Sequence, residues 1–356
     1  MATYNGARFI REQLDSIAAQ TTLPAELVVT DDASTDDTLR IVRDFARTAP
    51  FPVHVHENAT RLGYRANFLR ATGLCVSPLI ALCDQDDIWE PAKLERMAVA
   101  FADPEVLLCY HEAWLIDIAG TRMGLAHIYP LRASNPPSSA NPMLNPYGFT
   151  MMFRRRLLDF ADLWERSVDN LHAGQPMAHD QWLFFLASAF GTVAYLAEPL
   201  AGYRQHGANT YGFAAPARTP GERLHRWINV RSRDFASLTV AADARAAILA
   251  RASDRLDPVW DDRAALAIAH YRRFSDHARL RAAAYDRPGI AGRLAAWRAL
   301  LRDGAYANAT RWTFGRKAAL VDLACLLAPR RLLGALARPP AAAPAAATTP
   351  AATPRS

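Results

Sequence analysis

Three carboxylates fall within four residues at Asp84, Asp86 and Asp87, in the stretch LIALCDQDDIWEPAKL, directly after an apolar run. Like charges this close repel, so the grouping costs stability unless something compensates it. A divalent cation would. Mg2+ takes hard oxygen ligands, uses one or two protein carboxylates and fills its other positions with water and substrate phosphate. An Asp-x-Asp element at a strand end fits that use, with one side chain on the metal and its neighbour free for a ribose or a water. The competing explanation is a solvated turn with Asp87 capping the next helix, and the triplet alone leaves the two near even. A second acidic pair, Asp31 and Asp32 in VVTDDAS, closes another strand-like run. One of its carboxylates could accept from a base N–H or a ribose hydroxyl, but in isolation a turn with a helix cap explains it better. Asp180, in MAHDQW, opens an apolar helical pattern, where the helix dipole favours an ionised carboxylate. Capping and chemistry are compatible there. His206 lies in the Gly-flanked turn of YRQHGAN. Imidazole beside a carboxylate-held cation suits Mn2+ better than Mg2+.

The surrounding elements place these groups. ELVVTD, VHVHE, LIALCD and EVLLCYHEAWLID predict strands. Residues 34–48 predict a helix with Ser34 or Thr35 as N-cap and Leu39, Val42, Phe45 and Ala46 at helical spacing. YRANFLRATGL predicts a helix ending near Gly73, and PAKLERMAVAFAD one with Pro91 at its first position. Strand–helix alternation predicts a parallel sheet covered by helices, with ligands outside the carboxyl ends of its strands. TDDAS and CDQDDIW both fall on that rim. Residues 134–146 predict a long loop, HDQWLFFLASAFG an apolar helix, and VAYLAEPLAGYRQHG a strand, a turn and a second strand. At the start, TYNG looks like the turn after a first strand, yet only Met1 to Thr3 precede it. The expectation is a first strand truncated to a stub, with the true start upstream. After about Tyr211 the chain turns Arg- and Ala-rich and helical through residue 337, and the Pro/Ala/Thr-rich residues 338–356 predict a disordered tail.

Composition narrows the class. A chain of 356 residues, 51% hydrophobic and 21% charged, is long enough for one large globular domain or two. A net charge of +6 suits phosphate-bearing substrates or anionic lipid. The basic residues are not interleaved with aromatics, which argues against nucleic acid. Cys75, Cys83, Cys109 and Cys325 lack metal-ligand spacing, and a reducing cytoplasm is the simplest compartment for them. There is no signal-peptide pattern and no apolar run of membrane-spanning length.

Taken in order, MATYNG, LVVTDDASTDDT, RLGYRANFLRA, ALCDQDDIWEPAKLE, YGFTMMFRR, HDQWLFFLASAFG and EPLAGYRQHGAN resemble the catalytic domain of glycosyltransferase family 2, and within it the bacterial rhamnosyltransferase-type members. The resemblance covers residues 1–211. It implies an α/β fold of GT-A type, with a nucleotide-sugar half (1–115) and an acceptor half (116–211), followed by a mostly helical region (212–337). Thr3, Tyr4 and Asn5 then match the loop along the nucleotide, and Asp32 the carboxylate that hydrogen-bonds the base. Gly63, Arg65 and Asn67 fall near the nucleotide and diphosphate. Asp84 and Asp86 match the Asp-x-Asp element, with Asp86 as metal ligand, Asp84 as a further candidate and His206 completing the site for Mg2+ or Mn2+. Asp180 matches the general base, with His179 where many relatives carry Glu. Gly148, flanked by Tyr147 and Phe149, lines the sugar–acceptor junction together with His179. Trp182 could stack on a sugar face, though a core position is the stronger expectation for a Trp. Cys83 stands where Ser or another small residue is expected.

One base and direct attack at the anomeric carbon imply inversion, with no second carboxylate nucleophile. The function implied is an inverting, metal-dependent glycosyltransferase using a nucleotide-diphosphate sugar such as dTDP-rhamnose. Its acceptor would be a glycan or lipid-linked glycan of a bacterial surface polysaccharide. The enzyme would be cytoplasmic, or peripheral on the inner face of the plasma membrane. Basic residues flanking the apolar stripe of RWTFGRKAALVDLACLLAPRRLLGALA fit such a surface contact as well as they fit packing on the catalytic domain. Two rivals stand beside this reading. One is a catalytically inactive relative serving as a binding or scaffold subunit. The other is a sugar nucleotidyltransferase, which needs a Gly-rich basic N-terminal loop that TYNGARF does not resemble.

Overall fold

The computed structural model describes residues 1–141, 143–144, 146–170, 172, 174–207, 232–307 and 312–327. Its first layer is a parallel sheet of β1 (Ala2–Thr3), β2 (Leu27–Asp31) and β3 (Val53–Glu57), in that order, with α1 (Ile10–Ala18) and α2 (Thr38–Ala46) as crossovers. Ala2 pairs with Thr30 and Leu27 with Val53. β2 is buried at every position, as a central parallel strand covered on both faces should be.

α3 (Tyr64–Leu74) leads to a second sheet built from β4 (Leu79–Ala81), β5 (Ile88–Trp89), β6 (Val106–Ile116), β7 (Arg122–Leu125), β8 (Ser134–Asn135), β9 (Met151–Arg154) and β10 (Thr192–Arg204). The order is β4-β9-β6-β10-β5, with β7 on β6 and β8 on β10. α4 (Lys93–Ala100) and α5 (His179–Phe190) pack on it. This sheet is mixed, not parallel throughout. β9 runs antiparallel to β4 and β6, whereas β6 and β10 are parallel. β9 is entered from a loop and not through a helical crossover, so nothing obliges it to run parallel.

Three local expectations change. The strand, turn and strand of VAYLAEPLAGYRQHG are one bulged strand, with register shifts between Leu196 and Pro199 and between Pro199 and Gly202. Pro199 has no N–H to give the ladder, so the chain bulges there instead of turning. α2 starts at Thr38 and not beside Ser34, because Ser34 gives its N–H and hydroxyl to Asp31, while Asp36 accepts the Thr38 N–H at 3.1 Å. Asp87 caps no helix. It is buried and accepts the backbone N–H of Arg204 at 3.1 Å.

The C-terminal helices are α6 (Ser232–Ala252), α7 (Pro258–Asp286), α8 (Ile290–Arg302) and α9 (Gly315–Leu327). α7 opens with Asp257 accepting the Trp260 N–H at 2.9 Å and with Pro in the first turn. Trp260 stacks on Phe190 of α5 at 4.8 Å with an interplanar angle of 3°, and Arg156 lies 3.7 Å over its ring. Tyr271 meets Phe185 of the same helix edge-on at 5.8 Å. α9 is fastened through buried Asp322, which receives both arms of Arg281 at 2.6 and 2.8 Å and the Tyr285 hydroxyl at 2.7 Å. The helical region is therefore packed onto the sheet domain. The expected boundary at 211 and the tail 338–356 lie outside the described residues. Among the described residues no helix is long and apolar enough to cross a membrane. Trp260→Ala removes the ring that joins the two parts. It should lower stability by about 3 kcal/mol in urea unfolding of the full chain. A change near zero would mean that the helices are loosely attached.

Candidate active site

The rim is laced together before any ligand arrives. Tyr4 donates its N–H to Gln85 Oε1 at 2.9 Å, and Gln85 Nε2 returns a bond to Tyr4 O at 3.0 Å. Gly6 is required beside this exchange, because a Cβ there would collide with the Gln85 side chain. Asn5, at φ 48°, donates to Ser34 Oγ and accepts the Thr35 N–H, each at 2.8 Å. Thr3 Oγ1 donates to Asp31 at 2.7 Å. The turn after β1, the turn after β2 and the acidic loop after β4 are thus one hydrogen-bonded unit.

Within it the Asp84, Asp86 and Asp87 carboxylates gather with their oxygens inside 4.8 Å. Burial, then the charges of Asp86 and Asp180, push Asp84 up to about 7. Burial, then the charges of Asp86 and Asp84, raise Asp87 well above the usual carboxylate range. His206 Nε2 stands 2.9 Å from Asp86 Oδ2, and its ring stacks on Phe9 at 4.8 Å. The three carboxylates form a donor set that fits Mg2+ or Mn2+, and His206 adjoins it through Asp86.

Two cations that sequence reasoning passed over support the cluster from behind. Arg204 is wholly buried. Its guanidinium donates to Asp86 O at 2.8 Å, Ile118 O at 2.6 Å and Glu12 at 2.7 Å. It also lies 4.8 Å over Phe9, the ring that carries His206. Lys93 is wholly buried, donates to Phe149 O at 2.6 Å and sits 3.9 Å over Trp89. Burial pulls its pKa down to about 7, while Cys83, Asp87 and Asp84 favour the charge. Both adjoin the motifs already singled out, the Arg in YRQHG and the Lys in PAKLE, and their signal was a cation where the strand and helix patterns demand burial. Cys83 is buried and accepts from Gln13 Nε2 at 2.9 Å, and burial pushes its thiol up to about 12.

Asp180 comes from the opposite wall, in the first turn of α5. Its carboxylate accepts the N–H of Gln181 at 2.8 Å, and the nearby Gly148 N–H also favours its charge. Burial nevertheless raises it to about 6. Its charge is among those that raise Asp84, so the two acids lie near each other. A Cβ on Gly148 would lie 2.6 Å from His179 Nε2 and 3.5 Å from Asp180 Cβ, so glycine lets these segments approach. His179 is buried and stacked on Phe68 at 3.9 Å, and burial pulls its pKa to about 3, leaving the ring neutral. Trp182 is not part of the cleft. It is completely buried and tilted against Phe185 at 5.7 Å, because α5 buries every face and leaves none for a sugar.

The nucleotide candidates divide. Tyr4 is exposed, with the Arg61 guanidinium 3.9 Å over its ring. Asp32 is buried and accepts from Asn58 Nδ2 at 2.9 Å, Leu62 N at 2.6 Å and Gly63 N at 2.8 Å. Asn67 donates to Thr30 O at 3.0 Å and accepts from Asn58 at 2.9 Å. Both were expected on the nucleotide. The structure engages both with the chain itself, closing the loop that carries Gly63 at φ 81°. Arg65 pairs with buried Asp169 and with Gln175. Truncation of Arg204 should be the costliest change at this rim. Arg204→Met leaves the carbonyls of Asp86 and Ile118 without their donor. It should destabilise the chain by about 3 kcal/mol, read by urea unfolding.

The family model described as Glycosyl transferase family 2 matches residues 1–160. The uncharacterized protein Rv1520 of Mycobacterium tuberculosis is 31% identical over 210 residues, 57% of this chain and 57% of that protein, so the chain spans little more than half the length of that relative. The dTDP-rhamnosyl transferase RfbG of Shigella flexneri is 27% identical over 247 residues, 64% of this chain and 80% of that protein. Among solved structures, S. aureus TarS 1-349 in complex with UDP aligns over 86% of this chain and 91% of that one, at 17% identity and a TM-score of 0.45. The segment that supplies both acidic turns, the Gln85 lacing and Gly148 is the one that this family model matches.

Proposed function

We propose that the chain is an inverting glycosyltransferase that moves a sugar from a nucleoside-diphosphate donor to a glycan hydroxyl. The observation that carries this reading is the meeting of Asp86 and His206 at 2.9 Å, with Asp180 close enough to raise the neighbouring Asp84. Asp86 and His206 would hold Mg2+ or Mn2+, with Asp84 as a further ligand. Such an ion, when bound, neutralises the charge that grows on the leaving diphosphate. Asp180 takes the proton from the acceptor hydroxyl as that oxygen attacks the anomeric carbon. At about 6 it is a stronger base than an ordinary Asp and is still ionised at neutral pH. The Gly148 and Gln181 N–H groups hold it in place. A single base without a carboxylate nucleophile gives inversion.

The name of the Shigella relative supports dTDP-rhamnose as donor, and the acceptor fits a lipid-linked glycan of a surface polysaccharide. Residues 1–211 would be the catalytic unit, with 212–337 behind it. Exposed Leu320 and Leu327 of α9, with Arg316 and Lys317 on the same helix, support a peripheral contact with anionic lipid on the cytoplasmic face.

Donor turnover by the full chain with Mn2+ should fall by about 10²-fold or more in Asp180→Asn, with the melting temperature held. Asp86→Ala and chelation should each abolish it, and added Mn2+ should restore only the chelated enzyme. Wild-type protein inert toward a panel of nucleotide sugars would instead favour the scaffold reading. The pH profile has a fixed sign. Asp180 must be unprotonated, so kcat should level above a limb near 6 and fall about tenfold per unit below it, and Asp180→Asn should erase that limb.

A further inference from the structure

The helix turn that carries Asp180 is moored to a buried carboxylate. The Gln181 N–H donates to Asp180 at 2.8 Å, and Gln181 Nε2 donates to Asp169 Oδ1 at 3.3 Å. Asp169 is only 1% exposed. Its Oδ1 also accepts the His172 N–H at 3.0 Å, and its own N–H goes to Gln175 O at 2.9 Å, so the loop ahead of α5 closes around it. Its other oxygen receives Nη2 of Arg65, whose Nη1 reaches Gln175 Oε1. Arg65 lies in the first turn of α3, directly after the Leu62 and Gly63 N–H groups that Asp32 accepts. One turn on, Phe68 stacks on His179 at 3.9 Å, and Tyr64 meets the same ring edge-on at 6.3 Å. A second buried cation adjoins the carboxylate. Burial lowers the pKa of Arg245 of α6, whereas Tyr271 and Asp169 favour its charge.

Burying Arg65 and Asp169 together costs desolvation that an apolar contact of the same volume would not. Stability alone therefore does not account for the pair. What charged, hydrogen-bonded groups add is direction, because each bond fixes an angle as well as a distance. We propose that Asp169 is a positioning residue for glycosyl transfer, fixing Asp180 relative to the donor through Gln181 on one side and Arg65 on the other. The proposal rests on the reading of Asp180 as the base. The turn closed by Asp32 and the turn bearing Asp180 are then one piece, joined through α3, Arg65, Asp169 and Gln181. Misplacing a reacting group by ~1 Å costs about 10²-fold in rate, so a rigid link between these turns has a direct effect on turnover. Arg65, which the resemblance puts near the diphosphate, acts here on the base and not on the donor.

The test measures donor turnover by the full chain with Mn2+ on a panel of dTDP-, UDP- and GDP-sugars. Gln181→Met cuts the link at α5 without changing a charge. Arg65→Met/Asp169→Asn cuts it at α3 and removes both charges together, so neither is left buried alone. Each should keep the wild-type melting temperature and donor KM, while kcat falls about tenfold or more. In the Asp180→Asn background neither should lower the residual rate further, because a residue acting through the base has nothing left to place. Wild-type kcat in both variants would overturn the proposal. So would a raised KM at unchanged kcat, which returns Arg65 to the diphosphate, or a loss undiminished in the Asp180→Asn background, which marks general loosening. A wild type inert toward the whole panel, or turnover that survives Asp180→Asn, defeats the base reading first and the proposal with it.

Discussion

Holding like charges together is the constraint around which this rim is built. Asp84, Asp86 and Asp87 are drawn within 4.8 Å, and Asp84 and Asp87 are raised by burial and by neighbouring acids. Hydrogen bonds donated by Arg204, one from its guanidinium to a backbone carbonyl and one from its backbone N–H to a carboxylate, keep them there. Arg204 binds the Asp86 carbonyl, and its own N–H goes to the Asp87 carboxylate. Phe9 lies between this guanidinium and the His206 ring, so one aromatic plane positions the imidazole and packs on the cation beneath it. The cluster therefore stays assembled while its excess negative charge is left only partly compensated. Divalent-ion binding to such a group displaces the protons that burial holds there, so its affinity rises with pH.

The same economy runs through α5. Its N-terminus presents Asp180, its body is buried on all sides, and its far end stacks on Trp260 of α7. A general base needs placement within a fraction of an ångström. Here placement comes from a helix clamped between the sheet and the C-terminal helices, with Phe185 and Phe190 meeting Tyr271 and Trp260. The helical region thus fixes the position of the helix that carries Asp180.

Some of this was legible in the residues. Asp84, Asp86 and Asp87 stand out as a like-charged group, although the triplet alone fits a solvated turn as well as a cation site. The helix at Tyr64–Leu74 reads from its own spacing. Other features could not be read locally. Pro199 and Gly202 look like turn formers, and only pairing with β6 shows them as bulges in a continuous strand. Asp32 and Asn67 have ligand-like types, but their partners Asn58, Leu62 and Thr30 are set by the closing of a loop. Trp182 lies two residues beyond Asp180, and only a helix buried on every face removes it from the cleft. Arg204 looks like an ordinary strand-end arginine until three segments converge on it.

Asp180 shows how finely opposing effects are set against each other. Burial alone would drive its carboxyl far from the range in which it could lose a proton at neutral pH. The helix N-terminus and the N–H groups of Gln181 and Gly148 work in the other direction, and the balance lies near 6. A fully solvated Asp, near ~3.9, would be ionised but a poor proton acceptor. Gly148 enters twice. Its N–H stabilises the carboxylate, and its missing Cβ lets the neutral, stacked His179 close the wall that keeps water from it. An alanine at 148 must move His179 or draw the N–H away, and either shift weakens the base by altering its solvation, not its identity.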